Sequence, residues 1–561
     1  MIRSALILSV IFVSIASVCL LPCRGAEQAS DKPRGEPSAA REDQPQAPVA
    51  TPRCDYYRAR TPQSALVTGG QAPWTLFRTY RSDLTARIDK VHGPAPEFWI
   101  DAAWAAAGMK AGMIPEKHHA KVAGAIVEMW TGQPKGASYG HKGIQSYVTK
   151  KHGIAVAGNI MIARTNPPQR SQMAVRRQLM KMICLMHEFQ EVLLETADKC
   201  KDAVMPGYTH IRHAQPTTLG HYLMSVYDPI DRSVKTLEDG YHLMSLNELG
   251  CGALAGTSWD IDRELVAEYL GCEGLLENTN DAVGYTDGYV VVTAGAVNIL
   301  TVMSRMALEL EHWSTMEYDF LDFEIGAGSF MMPNKRSNQG ILEETAESSS
   351  VALGALVEVV SMGTKLPQGD MNPVAYAMKD GTLRALMRVD RSVEPYLYKF
   401  PSMIVKRDVM LATAREGYSC STELANVLVR DYELDYRTAH DIVNHFVVES
   451  AKLGIPSQEA DVEIFQAAAQ AVVNRKLDMS EQKLRQTLDP VHFVEVTDIR
   501  GGVSPKEVAR MIADRREKLK AARARHLARI EKLEQARAKL LADLRELCAT
   551  PAKETSEEAR Q

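Results

Sequence analysis

The pattern of apolar and polar positions is helical over two long stretches near the middle of the chain. Residues 171–199 and 287–313 carry apolar side chains at the spacing of successive helical turns. A long amphipathic helix must cover its apolar stripe, and neighbouring long helices do this for one another in a bundle. We therefore predict an all-α fold whose central domain, 164–364, is a bundle of long helices.

The chain on either side of this bundle shows shorter helical periods. Between 54 and 163, turns alternate with helical stretches such as 97–113, where large apolar residues fall among alanines. This pattern predicts a small helical N-terminal domain. From 365 to 510 the periods are shorter and turns more frequent, and 422–428 resembles the start of a helix. We expect a compact C-terminal domain there.

The last segment, 511–561, is predicted to hold a long charged helix followed by a frayed tail. Its apolar residues recur every seven positions, at Leu519, Leu533, Leu540 and Leu547, with His526 in the same series. Arginines stand at the complementary heptad positions, at 516, 523 and 537. Two alternatives stay open, a coiled coil or a helix that packs on its own protein body.

The N-terminus has the pattern of a secretory signal peptide over 1–26. Arg3 precedes an apolar run from 5 to 21, and small residues follow at Gly25 and Ala26. An uncleaved anchor is the alternative. Residues 27–53 are rich in Pro, Ala, Glu and Gln without an apolar period, which predicts a disordered linker. We expect an exported protein, periplasmic or secreted, with no membrane contact beyond the export signal.

Composition supports helices and excludes some partners. The chain has 561 residues, of which 45% are hydrophobic but only 6% aromatic, and 25 are Met. Such a mixture suits packed helices better than a β-sandwich. The 65 basic and 70 acidic residues give a net charge of -5. That balance produces no positive field for nucleic acid, so we expect no nucleic-acid partner.

Cysteine and histidine usage indicates neither a disulfide framework nor a metal site. The nine cysteines are widely scattered, and two of them fall in the predicted signal peptide. A long chain with that spacing is not a disulfide scaffold. The sequence contains no CxxC, HExxH or other ligand cluster. We therefore expect no metal and no cofactor.

Three segments far apart along the chain combine small hydroxyl, amide, histidine and lysine residues. They read ARTNPPQR at 163–170, PGYTHIRHAQP at 206–216 and GSFMMPNK at 328–335. Prolines interrupt the helical pattern there, which places these segments on loops or helix ends. Each alone is weak evidence, because a Thr-His is more often a helix cap and a Gly-Ser loop more often a turn. Together they are candidates for one converging site.

The three segments carry a resemblance to a known family. The third resembles the signature GSSxMPxKxN of the fumarase/aspartase superfamily, and the second resembles its THxxxAQP motif. GALAGT at 252–257, DRE at 262–264 and NTNDAV at 278–283 are similar to motifs of the argininosuccinate lyase branch. The resemblance implies a three-domain fumarase/aspartase-like fold, and a homotetramer whose active sites combine segments from three subunits. It also implies a small dicarboxylate substrate.

The resemblance implies a role for each candidate residue. Ser329 corresponds to the base that removes a proton beside a carboxylate, and His210 to the group that assists protonation of the leaving nitrogen. Glu343 would orient His210. The remaining positions implied to bind substrate are Lys335, Asn338, Thr209, Thr165, Asn166 and Gln215. The Asn338 and Glu343 assignments require one inserted residue after Lys335; without it, Ser337 takes the Asn position and Glu343 loses its role.

Two departures from the family concern the leaving amine. Where argininosuccinate lyases carry LPxAYNRDxQEDK, which holds the arginine half of the substrate, this chain reads LPQGDMNPVAYAMK at 366–379. Their SRNDQ is replaced by TNPPQ at 165–169. We predict a carbon–nitrogen lyase that cleaves argininosuccinate or a related N-succinyl or aminopolycarboxylate compound to fumarate and an amine. The alternative is a non-catalytic scaffold that retains the lyase fold.

Overall fold

The architecture is predominantly helical. The structure, a computed structural model, describes residues 74–93, 95–132, 134–164, 169–323, 328–329, 331–332, 338–364, 367–369 and 372–549. Within these ranges the strands form three small sheets of two strands each, and all other regular elements are helices. This confirms the all-α class. The predicted signal peptide and linker, 1–26 and 27–53, lie outside the described residues.

The elements follow one another in a simple order. The helices are α1 Trp74–His92, α2 Pro96–Lys110, α3 His119–Gly132, α4 Gly143–His152, α5 Ile154–Ala157, α6 Gln169–Lys199, α7 Leu219–Leu243, α8 Arg263–Tyr269, α9 Thr279–Val283, α10 Asp287–Trp313, α11 Gly340–Gly363, α12 Asn372–Val393, α13 Tyr396–Lys399, α14 Arg407–Glu416, α15 Ser421–Tyr432, α16 Tyr436–Lys452, α17 Val462–Val473, α18 Glu481–Thr487, α19 Pro490–Val496 and α20 Pro505–Ala549. The strands are β1 Val204–Thr209, β2 Arg212–Thr218, β3 Leu246–Asn247, β4 Gly274–Leu275, β5 Leu321–Phe323 and β6 Met403–Val405. Single 3-10 turns occupy Glu116–His118 and Ser457–Glu459.

Five long helices, α6, α7, α10, α11 and α12, form the central bundle. They confirm the two long helices expected from the apolar pattern. Among the described helices, α10 has the length and apolar composition to cross a membrane, and half of its most apolar window is buried. Its inward face, including Ile299, Leu300 and Met303, packs in the main hydrophobic core. Core packing therefore accounts for its composition.

Two glycines let α7 and α10 approach closely. A Cβ atom at Gly240 would lie 2.7 Å from Cγ2 of Val292, and one at Gly295 would lie 2.8 Å from Cδ2 of Leu237. Real Cβ atoms essentially never come that near to other side chains, because core packing is already dense. Each helix therefore places a glycine against a larger side chain of the other helix, which allows their close packing.

A second hydrophobic core lies in the C-terminal part of the chain. Helices α15 to α19 bury their apolar faces there, around Leu428, Phe446, Phe465 and Phe493. The helix predicted to begin near 422–428 is confirmed as α15. This second core is consistent with a separate C-terminal domain, although the predicted domain boundaries stay predictions.

The long terminal helix α20 packs along its own protein body. Its leucines at 519, 533 and 540 are buried in the main core. The arginines at the complementary heptad positions do not pack into an apolar helix–helix interface. Their guanidinium groups instead contact side chains of other helices. Arg523 lies 2.8 Å from Glu191, and Arg537 lies 4.5 Å from the ring centroid of Trp130. Of the two alternatives, the structure thus shows packing on the body.

One heptad position of α20 holds a buried histidine. Nε2 of His526 lies 3.2 Å from Sγ of Cys184, and its ring meets the His187 ring edge-on at 5.8 Å. Burial lowers the pKa of His526 to about 4 and that of His187 to about 3. Both imidazoles are therefore neutral in the folded protein near pH 7, where they pack as apolar groups.

Acidification should lower the free energy of unfolding, because it disfavours the packing of α20 around His526. An unfolded histidine has a pKa of about 6.5, so below that pH the unfolded chain binds more protons than the folded one. Stability present above pH 6.5 is then lost as the pH falls toward the folded pKa of about 4. We expect His526→Leu, which continues the leucine series, to reduce this loss. Urea unfolding at about pH 7 and about pH 5 measures it.

A matched control is available for this prediction. His445 is exposed on α16, so His445→Leu should leave the pH dependence of unfolding as it is in the wild type. The same pH dependence in His526→Leu and the wild type would contradict the buried position of His526.

Candidate functional site

The second predicted segment forms a β-hairpin. Strands β1 and β2 are antiparallel, and Thr209 pairs with Arg212, which leaves His210 and Ile211 as a two-residue turn. The φ angles of these two residues are 52° and 60°, both left-handed, as a type I′ turn requires. The hairpin replaces the loop expected from Pro206 and Pro216. These prolines face each other at one register position, and the register of the ladder shifts between Pro206 and Tyr208.

The tip of this hairpin is exposed and strained. Thr209 and His210 are exposed, and Ile211 is 88% exposed. Left-handed backbone is costly for a β-branched residue, and type I′ turns normally place Asn or Gly there. His210 is thus exposed on a two-residue turn whose backbone is left-handed.

The base of the hairpin is fixed by side-chain contacts. The rings of Tyr208 and His213 meet edge-on with centroids 5.2 Å apart. Nε2 of Gln215 donates to Oγ1 of Thr422 at the start of α15, over 3.2 Å. Gln215 therefore links the hairpin to the C-terminal helices in this structure.

The third segment connects β5 with α11. Gly328 and Ser329 are described, and the backbone N–H of Met332 donates to Oγ of Ser329 over 2.9 Å. Asn338 is exposed just before α11, and Glu343 is exposed in its first turn. A carboxylate at this end of a helix is favoured by the exposed N–H groups. Lys335 lies outside the described residues.

A second carboxylate lies near Glu343. Burial raises the pKa of Glu311 on α10, and the negative charge of Glu343 raises that pKa further. The negative charge of Glu343 in the first turn of α11 therefore acts on a carboxyl group of the neighbouring helix α10. The two carboxylates make the start of α11 an acidic region of the bundle.

The first segment is described only at its ends. Thr165 and Asn166 lie outside the described residues, while Arg164 and Gln169 flank them. Gln169 is buried at the start of α6, where its Oε1 accepts from the backbone N–H of Glu248 over 2.9 Å. The segment thus enters α6 next to the bundle core.

Among the described residues, no polar contact joins the hairpin candidates with those of the serine loop. Across the described part of the chain, no hydrogen bond or ion pair links Thr209, His210 or Gln215 with Ser329, Asn338 or Glu343. The same residues also contain no group of three side chains that could hold a metal ion. The hairpin does approach the chain that leads into the serine loop, since the rings of Tyr208 and of Tyr318, just before β5, lie 6.0 Å apart.

Comparisons with known proteins identify the family. The family described as Lyase matches residues 168–341, and the one described as Argininosuccinate lyase C-terminal matches residues 418–495. An argininosuccinate lyase of Methanothrix thermoacetophila is 31% identical over 432 residues, which are 74% of this chain and 85% of the relative. One of Methanosarcina barkeri is 30% identical over 388 residues, 68% of this chain and 78% of the relative. This chain belongs to the argininosuccinate lyase family.

Membership in this family of the fumarase/aspartase superfamily confirms the resemblance found in the motifs. As a member, the protein is a carbon–nitrogen lyase of the fumarate-releasing type. The Lyase match begins at residue 168, near the end of the first segment, and covers the second segment and the serine loop up to the start of α11. The second match covers the C-terminal core.

Solved structures share the fold of this lyase. The structure of an EDDS lyase variant with bound fumarate aligns with a TM-score of 0.71 at 24% identity, covering 88% of this chain and 98% of its own. A class II fumarase of Schistosoma mansoni aligns with a TM-score of 0.57 at 13% identity, covering 70% of this chain and 88% of its own. Both confirm the fumarase/aspartase-like architecture.

Sequence reasoning missed two ion pairs beside the first segment. Arg164 pairs with Asp101, and Arg170 pairs with Glu97. The available signal was Asp101 itself, an acidic residue among apolar ones in 97–113, because a carboxylate in a buried helix face requires a partner.

The strain at the hairpin tip of this lyase is testable. Ile211→Gly places a residue without a Cβ atom in the left-handed region, so the free energy of unfolding should rise by up to about 1 kcal/mol. Urea unfolding measures the change. The control is Ile154→Gly, at an exposed isoleucine outside the described positive-φ positions, which should lose stability. Equal losses in both variants would contradict the strained turn.

Proposed function

We propose that this lyase cleaves an N-substituted aspartate by β-elimination, releasing fumarate and an amine. The observation that carries the proposal is Ser329 in the loop before α11, with Asn338 and Glu343 following it at the family's positions once one residue is inserted after Lys335. The substrate belongs to the class of argininosuccinate and related N-succinyl or aminopolycarboxylate compounds.

Ser329 is proposed as the base. A neutral serine is a poor base in water, so its alkoxide must be stabilised at the moment of proton transfer. The Met332 N–H donates to Oγ of Ser329, which favours negative charge on that oxygen. Lys335, six positions further along the loop, is proposed as the cation that supports the same charge and the dianionic intermediate.

The other proposed residues hold or protonate the substrate. Asn338 and Thr209 are proposed to donate to substrate carboxylates, together with Thr165, Asn166 and Gln215. His210 is proposed to assist protonation of the leaving nitrogen, and Glu343 to orient its imidazole. Nε2 of Gln215 donates one hydrogen bond to Thr422 within the chain. The amide also has a second N–H and an acceptor oxygen, so contact with substrate does not require loss of that bond.

We propose a homotetramer with shared active sites. Support comes from the hairpin tip, where His210 stands exposed without a bond to Glu343 in the same subunit. A rigid, exposed turn that carries a site residue is suited to complete a site on another copy. Superfamily members are usually oligomeric.

An exposed apolar face on the bundle supports the same assembly. Leu353, Val357 and Val360 lie on one side of α11 at helical spacing, and Leu308 of α10 and Met387 of α12 are exposed on the two helices that pack against it. Large apolar side chains exposed on packed neighbouring helices are typical of an interaction surface. We propose that copies of the chain associate through it.

The apolar face leads to a test of assembly. Val357→Asp places a charge in the proposed interface, so the protein should become smaller in light scattering after gel filtration and lose fumarate release. Val448→Asp makes the same change at another exposed valine, on α16, and should alter neither property. An active tetramer of Val357→Asp would contradict the shared-site proposal.

The amine part of the substrate is proposed to differ from arginine. The curated relatives are argininosuccinate lyases, but 366–379 lacks the family's contacts to arginine. An EDDS lyase is among the structural neighbours, at an identity that indicates fold alone. Argininosuccinate itself is the conservative alternative. Export by the predicted signal peptide is proposed as well, and it supports a substrate other than argininosuccinate, since arginine synthesis would be expected in the cytoplasm.

Activity is tested with a panel of substrates. Wild-type protein should release fumarate, detected by its absorbance at about 240 nm, from an N-substituted aspartate, and Ser329→Ala should lower the rate at least about 100-fold because the base is lost. Mass spectrometry identifies the amine. Turnover of argininosuccinate alone would contradict a changed amine pocket, and equal, zero activity in both proteins would favour the scaffold alternative.

A further inference from the structure

The short helix α13 contacts the start of α11 at two points. Nζ of Lys399 donates to Oε1 of Gln339, the residue just before α11, over 2.6 Å. The Tyr396 hydroxyl lies 3.0 Å from Oγ1 of Thr345. Thr345 already donates its single hydroxyl proton to the carbonyl oxygen of Ile341, so Tyr396 is the donor. One turn of α13 thus holds α11 at two places.

These two contacts lie on either side of Glu343. Gln339 and Thr345 are six residues apart, which is about 9 Å along a helix axis. Glu343 lies between them in the first turn of α11, and Asn338 directly precedes Gln339. A helix that is held at two points along its axis neither rotates nor slides freely. The contacts of α13 therefore fix the backbone that carries Asn338 and Glu343.

The Lys399 ammonium group also contacts strand β5. Its Nζ lies 5.7 Å from the centroid of the Phe323 ring, within the range of a cation–π contact. Phe323 ends β5, where it pairs with Met403 of β6. Along the chain β5 precedes Ser329 and α11 follows it. One buried side chain thus joins the two elements.

A lysine at this position is costly for stability. Lys399 is 7% exposed, and burial lowers the pKa of its ammonium group. Positive charge is also disfavoured beside the N-terminus of a helix, where exposed N–H groups attract negative charge. The side chain of Gln339 makes no capping bond to the described N–H groups of α11 and accepts from Lys399 instead. Such departures from what stability favours are typical of functional sites.

We propose that Lys399 is a positioning residue of the reaction. It holds Gln339 and thereby fixes Asn338 and Glu343 at the start of α11. This inference rests on the proposed function, in which Asn338 donates to a substrate carboxylate and Glu343 orients the imidazole of His210. Lys399 acts through Gln339 and does not touch the reacting atoms. Without its hydrogen bond the start of α11 moves more freely, and the Asn338 amide is displaced from the substrate carboxylate.

Fumarate affinity and steady-state kinetics test this role on the full-length protein. Calorimetric titration gives the Kd of fumarate, and the KM is measured with an N-substituted aspartate that the wild type cleaves. Lys399→Met removes the donor at similar side-chain length, so both values should rise by about tenfold. Gln339→Leu removes the acceptor and should have the same effect. The double variant should be no weaker than either single variant, because both substitutions remove one interaction.

Lys532→Met is the matched control. Nζ of Lys532 also donates to a neutral oxygen, the carbonyl oxygen of Cys272, over 2.9 Å. That bond joins α20 to the chain just before β4 and involves neither α11 nor α13. Lys532→Met should therefore change neither the Kd nor the KM.

The possible results separate the inference from the proposed function. Unchanged Kd and KM in folded Lys399→Met, with or without a lower melting temperature, would show a merely structural role and overturn the inference. Additive effects of the two substitutions would overturn action through Gln339. If Lys399→Met does not fold, Gln339→Leu decides in the same way, since Gln339 is only half-buried. If the wild type neither binds fumarate nor releases it from any N-substituted aspartate, the proposed function itself fails.

Discussion

Close packing of long helices is the constraint on which the rest of this structure depends. Reciprocal contacts at Gly240 and Gly295 bring α7 and α10 together, and polar side chains buried between bundle helices bond one another, as Thr293 of α10 does with Thr382 of α12. The candidate residues that the structure describes lie instead at helix ends and in the connections between helices. The His210 hairpin and the Ser329 loop both lie at such connections, before α7 and before α11.

Within one chain, no described hydrogen bond or ion pair joins the hairpin candidates with Ser329, Asn338 or Glu343. His210 is exposed on a strained two-residue turn, and an apolar face of α11 is exposed as well. The proposed assembly of several copies would cover the apolar face and would give the hairpin a partner site. Local strain at a functional turn is then maintained by the surrounding structure.

Much of the fold could be predicted because its signals are local. The helical period gave α6 and α10 almost to the residue, and the serine loop was found from its motif. The hairpin was missed, because Pro206 and Pro216 suggest a loop unless their opposite register is known. The ion pairs of Glu97 and Asp101 were missed for a similar reason. Each joins residues more than 60 positions apart, and no local period encodes that distance.

The central claim is that the lyase site is complete only between copies of the chain, and mixing of inactive variants tests it most directly. Ser329→Ala and His210→Ala each remove one proposed group from every site of a uniform assembly. Refolding the two together produces mixed assemblies, in which some sites receive both native groups. The account predicts two inactive variants and renewed fumarate release from the mixture. Persistent inactivity of well-folded mixed assemblies would contradict it.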